Sequence, residues 1–191
     1  MKKELSEIFA LHHVLSEECM EEVSEVCMLQ KIPKRTVVLR QGDICRNFYL
    51  NRSGLFRVSH LDKGAEDTIC FGTAGDVFTS VHSLFRGEPS VFSLVSIVDS
   101  EIYVFPFTEC ERLSQRFPDL VMWMRNLLIE QIYAFERRYL FFGHNDAETR
   151  YRNFIGNRGG ILRNVPVKYI AQYLQIAPEY LSRIRRRMMG K

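Results

Sequence analysis

The chain has 191 residues, of which 46% are hydrophobic and 26% are charged, and this composition excludes wholesale disorder. The length allows one ordinary domain and a smaller second one, and a formal net charge of +3 permits nucleic-acid binding without requiring it. No run approaches the roughly 18 apolar residues of a membrane span. The five cysteines form no CxxC pair, and the N-terminal residues do not resemble a secretion signal. We therefore expect reduced thiols and a cytoplasmic protein.

The first part of the chain is predicted to be helical. Apolar residues recur at helix-like intervals across residues 4–31, and Ser16 followed by two glutamates resembles an N-cap with acids in the first helical turn. From Pro33 onward the pattern changes to short β-prone runs separated by turn residues. These runs are residues 37–39, 48–50, 55–58, 68–71, 92–98 and 101–106. Many short strands at this spacing predict an antiparallel barrel or sandwich.

Residues 108–143 return to a helical period. Six apolar residues on this segment recur at heptad-like spacing. They are Val121, Leu128, Ile132, Phe135, Tyr139 and Phe142. Such a seam predicts a long helix that packs against a partner helix, so we expect these six side chains at a dimer interface. Gly143 is predicted to cap this helix, and Asp146 to start the next one.

Positive charge is concentrated at the C-terminal end of the chain. From Arg150 to Lys191 there are ten Arg and Lys residues and a single acid, Glu179, so the remainder of the chain is net acidic. This asymmetry indicates a basic terminal segment that meets a polyanion.

Two short helices are predicted within the basic segment. Residues 166–174 form the first helix, residues 175–177 form a tight connection, and Pro178 opens the second helix, where its missing N–H costs nothing. Ala171 is small where the two helices cross. Their shared core is predicted to be Ile170, Leu174, Ile176, Leu181 and Ile184. This is the layout of a helix-turn-helix, whose second helix enters the major groove of DNA.

The second helix of this pair carries the predicted DNA contacts. Glu179 and Arg183 lie four residues apart on one face, where an arginine pairs with guanine O6 and N7 and a carboxylate accepts from the cytosine amino group. The full predicted DNA-binding set is Lys168, Pro178, Glu179, Ser182, Arg183, Arg185, Arg186 and Arg187. The three later arginines and Lys168, with Arg163 and Asn164 before the first helix, are assigned to phosphates. The alternative is a solvated amphipathic helix, with Glu179 as a cap or neutralising charge.

The order of barrel, long helix and helix-turn-helix resembles the family of the cyclic-AMP receptor protein and the anaerobic regulator FNR. Three parts of the sequence carry the likeness. The first barrel hairpins of the family resemble the stretches Leu39-Arg40-Gln41-Gly42-Asp43, Phe48-Tyr49-Leu50 and Ser53-Gly54. The entry to the family's ligand cassette resembles Gly72-Thr73-Ala74-Gly75-Asp76-Val77-Phe78. The family's DNA-binding helices resemble Ile170-Ala171-Gln172-Tyr173-Leu174 and Leu181-Ser182-Arg183-Ile184.

The resemblance implies an α+β fold in three parts. An antiparallel β-barrel of jelly-roll type, with N-terminal helices, is expected at residues 1–107 as a sensor domain. A dimerisation helix is expected at residues 108–143, and a helix-turn-helix domain at residues 144–191. Because the sequence ends at Lys191, we expect this last domain to lack the full β-hairpin wing that the family has after its recognition helix.

The ligand cassette departs from the family pattern. In the cyclic-nucleotide binders of this family, a Gly-Glu pair holds the ribose and an Arg followed by Ser or Thr neutralises the cyclic phosphate. By the resemblance, Thr79-Ser80 stands here in place of the Gly-Glu pair and Ser90-Val91 in place of the Arg-Ser/Thr pair. These residues supply no cation for a buried anion. We therefore expect another ligand than cyclic AMP, or none, and no metal or certain cofactor. The candidate pocket residues are Phe71, Gly75, Phe78, Thr79, Ser80, Ser90 and Val91.

The predicted function is that of a bacterial, sequence-specific transcription regulator acting as a homodimer. Its predicted partners are double-stranded DNA, a second copy of the chain and, by the resemblance, RNA polymerase; no membrane is expected. A second hypothesis is a small-molecule-binding or protein-interaction module without specific DNA readout. An enzyme is not expected, because the sequence offers no nucleophile–base pair, metal constellation or phosphate-cradling glycine loop.

Overall fold

The structure, a computed structural model, describes residues 2–158 and 165–189. Its helices are α1 (Lys2–Ala10), α2 (Glu17–Val26), α3 (Val81–Arg86), α4 (Phe107–Ser114), α5 (Pro118–His144), α6 (Ala147–Arg158), α7 (Val167–Leu174) and α8 (Pro178–Met189). Its strands are β1 (Met28–Ile32), β2 (Val37–Leu39), β3 (Asn47–Ser53), β4 (Phe56–Asp62), β5 (Ala65–Gly72), β6 (Val77–Phe78), β7 (Ser93–Ser96) and β8 (Ser100–Pro106). The predicted α+β class is confirmed.

The eight strands form two four-stranded antiparallel sheets. The first sheet has the order β1-β8-β3-β6, and the second has the order β2-β7-β4-β5. Tight turns between strands use left-handed glycines; at Gly54 (φ +100°) a Cβ atom would also lie 2.1 Å from Oγ of Ser100, so only glycine fits there. The predicted antiparallel β-barrel is therefore present, built as two packed sheets.

An aromatic cluster attaches the long helix α5 to the first sheet. The Trp123 side chain is fully buried, and its ring centroid lies 4.6 Å from that of Phe9 in α1 and 5.3 Å from that of Phe48 in β3. Large aromatic side chains contribute most of the apolar area that such a core removes from water. We call the two sheets together with α1–α4 the β domain. The first half of α5 is thus part of the core of the β domain, whereas its second half extends beyond that core.

The prediction that residues 4–31 are helical was wrong in part. The helix ends at Ala10, a second helix begins after Ser16 at the predicted start, and Met28–Ile32 forms β1, paired with β8. A short apolar run has too few residues to show a helical or a strand period. The pairing with β8, which lies far away in sequence, decides the conformation.

The segment predicted as one helix over residues 108–143 is two helices. Helix α4 ends at Ser114 and α5 begins at Pro118. Proline has no backbone N–H to donate within a continuing helix, but the first turn of a new helix does not need that N–H. Gly143 lies inside the last turn of α5 rather than after it. Asp146 does start the next helix, because its Oδ1 atom accepts the backbone N–H of Thr149 at 2.7 Å.

Replacing Trp123 with Ala is expected to lower the free energy of unfolding by about 3–5 kcal/mol, because the cavity left between α5 and the first sheet cannot collapse. The measurement is urea unfolding followed by circular dichroism. The control is Leu61→Ala in β4, whose side chain is 54% exposed and should cost at most about 0.5 kcal/mol. Similar costs for the two variants would contradict the anchoring role of Trp123.

Candidate functional site

Helices α7 and α8 form a compact pair joined by a three-residue turn. Gln175 ends α7 in the left-handed conformation (φ 54°, ψ 49°), which reverses the chain. The N–H of Ile176 donates to the carbonyl of Ala171 at 3.1 Å, and α8 then begins at Pro178. The side chains between the two helices are buried as the sequence pattern predicts; they are Ile170, Ala171, Leu174, Leu181 and Ile184, with Ile176 half-buried.

Most residues of the predicted DNA-binding set are exposed on this helical pair. Both Glu179 and Arg183 are exposed, one helical turn apart. Arg185 is half-buried; the remaining members of the predicted set, Lys168, Pro178, Ser182, Arg186 and Arg187, are also exposed. On α8 the exposed residues Glu179, Ser182, Arg183 and Arg186 follow the spacing of one side of a helix. We call the eight residues of the predicted set together the arginine face. Arg163 and Asn164 lie outside the described residues.

The arginine face is only weakly neutralised within the described part of the chain. Arg187 lies 3.8 Å from the Glu148 carboxylate of α6, which also binds Arg152 at 3.3 Å, and such exposed pairs contribute little. The Arg183 guanidinium lies 5.2 Å from the ring of Tyr180. These arginines remain available for phosphate oxygens or base edges.

The inner side of the pair is docked on the second sheet through Gln172. Its Oε1 atom accepts from the Thr68 hydroxyl at 2.9 Å and from Nη1 of Arg57 at 3.2 Å. Its Nε2 atom donates to the backbone carbonyl of Glu66 at 2.6 Å. One side chain of α7 thus uses both ends of its amide on β4 and β5.

Arg57 is the buried charge at this contact. Its side chain is only 5% exposed and its Nη2 atom lies 2.6 Å from a carboxylate oxygen of Glu66. Its guanidinium carbon also lies 3.9 Å from the ring centroid of Tyr169 in α7. A buried guanidinium is tolerated only with such partners, so Arg57 and α7 stabilise each other's position.

Apolar residues continue the contact between the second sheet and the terminal helices. The Phe71 ring on β5 lies 5.6 Å from Tyr173 in α7 and 6.2 Å from Phe154 in α6. Leu55 and Ile97 of the β domain are buried in the same cluster. We call Arg57, Gln172 and this apolar cluster the docking contact. Sequence reasoning missed it; the available signal was Arg57 within the otherwise apolar run of residues 55–58.

Helix α5 exposes an apolar stripe along its second half. Ile132, Phe135 and Tyr139 are 61%, 71% and 73% exposed, and Val121 is 45% exposed. The other two residues of the predicted dimer seam, Leu128 and Phe142, are half-buried; the Phe142 ring lies 6.2 Å from that of Tyr173. Exposed apolar area of this extent on one helix is typical of a surface that meets a partner.

A cavity of about 360 Å³ lies between the second sheet and α5. Of the seven predicted pocket residues, Phe71, Phe78 and Thr79 line it. The other four lie elsewhere: Gly75 lies beside Leu11, Ser80 caps α3, Ser90 binds the backbone of Phe92 at 2.9 Å, and Val91 is exposed. The cavity is therefore bounded by β5, β6 and α5 rather than by the whole predicted cassette.

Two polar residues of α5, Gln131 and Arg138, also line the cavity, and sequence reasoning missed them. They lie seven residues apart, on the side of α5 that faces the second sheet. The available signal was this pair of polar residues at heptad spacing beside the apolar seam. Because of the apolar seam, this part of the helix was predicted only as a dimer interface and not as a wall of the cavity.

Within residues 2–158 and 165–189, no three His, Cys, Asp or Glu side chains are arranged to hold a metal ion. In the same residues no helix combines the length and apolarity needed to cross a membrane. Burial raises the pKa of Cys27 and that of Cys110 to about 12 and that of Cys19 to about 11, so these thiols stay protonated and unreactive at neutral pH.

Residues 29–117 match the family model of the cyclic nucleotide-binding domain. No curated protein matches the sequence significantly. The expected likeness to regulators of the CRP and FNR family is confirmed at the level of the fold, over 86–94% of this chain.

Three solved structures illustrate the likeness in fold. FixK2 from Bradyrhizobium japonicum has a TM-score of 0.75 at 17% identity, over 86% of this chain and 85% of that one. CLP of Xanthomonas campestris, described as a c-di-GMP responsive global regulator, has a TM-score of 0.70 at 14% identity, over 92% of both chains. The Catabolite Activator Protein of Thermus thermophilus has a TM-score of 0.58 at 22% identity, over 94% of this chain and 86% of that one.

Replacing Gln172 with Ala is expected to loosen α7 from the second sheet, because three hydrogen bonds, each contributing about 0.5–1.5 kcal/mol, are lost. Amide hydrogen exchange in α7 and α8 should accelerate at least about fivefold, while exchange in β3 and β8 stays unchanged. The measurement is hydrogen–deuterium exchange with mass spectrometry. The exposed Val167→Ala variant, at the start of α7, is the control; equal exchange in the two variants would contradict the bridging role of Gln172.

Proposed function

We propose that this protein is a bacterial transcription regulator, not an enzyme, that binds duplex DNA as a homodimer. The observation that carries the proposal is the arginine face. It presents Glu179 and Arg183 outward from a helix whose opposite side is packed on α7. This is the arrangement by which a recognition helix of a helix-turn-helix enters the major groove. The named regulators that share the fold support the same class of protein.

The arginine face divides into residues that read bases and residues that bind phosphates. Arg183 and Glu179 point from one face of α8 and are assigned to base edges, where arginine pairs with guanine in two hydrogen bonds. Lys168, Arg185, Arg186 and Arg187 supply sequence-independent affinity. We assign Pro178 to the start of the recognition helix and Ser182 to its DNA side; the Ser182 hydroxyl also donates to the Pro178 carbonyl at 3.0 Å.

The apolar stripe of α5 is the proposed dimer interface. Two copies packed along Ile132, Phe135 and Tyr139 would remove from water an apolar surface that is more than half exposed in the single chain. A two-fold axis along α5 would relate the two recognition helices and set them about 34 Å apart, as successive major grooves require.

Under this proposal residues 1–107 are the sensor, residues 108–143 are the dimerisation segment and residues 144–191 are the DNA-binding part. The protein acts in the cytoplasm, and RNA polymerase remains a predicted partner.

Arg183→Ala is expected to weaken binding to the preferred duplex by about 5- to 150-fold, equivalent to about 1–3 kcal/mol, and to relax selection at one base pair. The measurement is fluorescence anisotropy on duplexes selected from a random pool. The comparison variant is Lys168→Ala, which should weaken all duplexes alike and reduce the salt dependence of binding. Equal and sequence-blind losses in both variants would favour a module without specific readout.

Ile132→Glu is expected to convert the dimer to a monomer, because two carboxylates would face each other across an apolar interface without cations. Sedimentation velocity at micromolar concentration is the measurement. Thr108→Glu, at an exposed position of α4, introduces the same charge away from the stripe and should leave the dimer intact. A dimer that persists in Ile132→Glu would place the interface elsewhere.

A further inference from the structure

The most unusual polar group of the cavity is the guanidinium of Arg138. It projects from α5 at the wall of the cavity, and its Nη1 atom is buried without a hydrogen-bond partner among the described residues. Its carbon atom lies 4.6 Å from the ring centroid of Phe142 and 5.2 Å from that of Tyr173. The guanidinium is therefore held between aromatic rings, with one donor atom unused.

An unused, buried guanidinium donor is costly, because it has lost water without gaining an acceptor. No salt bridge of Arg138 occurs within residues 2–158 and 165–189. Burial lowers the pKa of Arg138 from its usual value, against weaker opposing effects of Tyr173, Cys70 and Asp67, yet arginine keeps its charge in proteins. In the present conformation Nη1 is sealed from solvent, so an anion in the cavity would supply the missing acceptor once the guanidinium turns toward it.

The cavity's own acid is already engaged. Asp76 lines the cavity, but its Oδ2 atom accepts the backbone N–H of Thr73 at 2.6 Å and lies 3.4 Å from the Thr73 hydroxyl. The Thr79 hydroxyl likewise donates to the backbone carbonyl of Asn47 at 3.1 Å. These groups are used by the fold, so Arg138 is the charged group of the wall that is left for a ligand.

The rest of the wall is mainly apolar. It includes Val58, Ile69, Phe78, Phe92 and Phe135, and the volume of about 360 Å³ falls in the range of small-molecule sites. A ribose and a cyclic phosphate need several polar partners at once. One cation among apolar and aromatic side chains fits a molecule with an apolar body and one anionic end.

We propose that this cavity binds a small aromatic or aliphatic molecule bearing a single carboxylate, and that Arg138 holds the carboxylate. The cation thus comes from α5 instead of the cassette positions Thr79-Ser80 and Ser90-Val91. A planar guanidinium suits a carboxylate because it donates two parallel N–H groups.

The same side chain reaches the terminal helices. Arg138 stacks on Tyr173 of α7, and Tyr173 is packed against Phe71 in the docking contact. A carboxylate that draws the guanidinium toward the cavity alters this stack, and so alters how α7 sits on the second sheet. This second step rests on the proposed DNA-binding function, whereas ligand binding itself does not.

The test is isothermal titration calorimetry of the full chain, without DNA, using 1-naphthoate, 2-naphthoate and 3-phenylpropionate. Each is compared with its own carboxamide, a neutral molecule of nearly the same shape. We expect at least one carboxylate to bind about tenfold or more tightly than its amide. This preference should disappear in Arg138→Gln and persist in Arg125→Gln, a control at an exposed arginine of the same helix.

Three outcomes would overturn the binding proposal: no carboxylate preferred over its amide, a preference that survives in Arg138→Gln, or cyclic AMP binding more tightly than every carboxylate. Thermal unfolding of Arg138→Gln confirms that the variant is folded, and Arg138→Lys should retain part of the preference. The preferred carboxylate is then added to the DNA-binding assay. A changed DNA affinity in the wild type but not in Arg138→Gln supports the step through Tyr173, and an unchanged affinity in both overturns that step alone.

Discussion

The buried guanidinium of Arg57 is the constraint on which the arrangement of the chain depends. A charge at this depth is stable only while Glu66, Gln172 and the Tyr169 ring surround it. Two of these partners belong to α7, so if the terminal helices moved away from the second sheet, the guanidinium would lose its contacts with Gln172 and Tyr169 and keep only Glu66 and Thr68 of its own sheet. The apolar part of the docking contact, around Phe71, removes further apolar surface from water but does not by itself fix the orientation of the helices. Together they determine which side of the helical pair faces the β domain, and hence that the arginine face points away from it.

Helix α5 connects the parts of the molecule that the proposal assigns to sensing, pairing and DNA reading. Its first turns are fixed in the β domain by Trp123. Its second half presents Arg138 to the cavity and Ile132 and Tyr139 to solvent. A change on one side of a packed helix is passed to its other side because close-packed side chains shift between discrete arrangements. A ligand, a second copy and the terminal helices would therefore act on one element.

Much of the fold was predictable because local patterns and tertiary packing agree. The strands around Phe48 and Val58 follow short apolar runs bounded by turn residues, and the pair α7–α8 follows the helical spacing that one buried face requires. The failures arise where partners distant in sequence decide. Strand β1 forms by pairing with β8, and the docking contact joins Arg57 to Gln172, which are 115 residues apart. The predicted pocket followed the family cassette, and only the packing of α5 on the second sheet brings Arg138 to the cavity.

The central claim is that two symmetry-related arginine faces, each held outward by its own docking contact, read one duplex. Selection from a random duplex pool followed by methylation protection of the selected duplex tests this claim most directly. The account predicts an inverted repeat in which two major-groove segments, centred about 10 base pairs apart, are protected. Failure to enrich any sequence, or protection confined to a single groove segment, would contradict it.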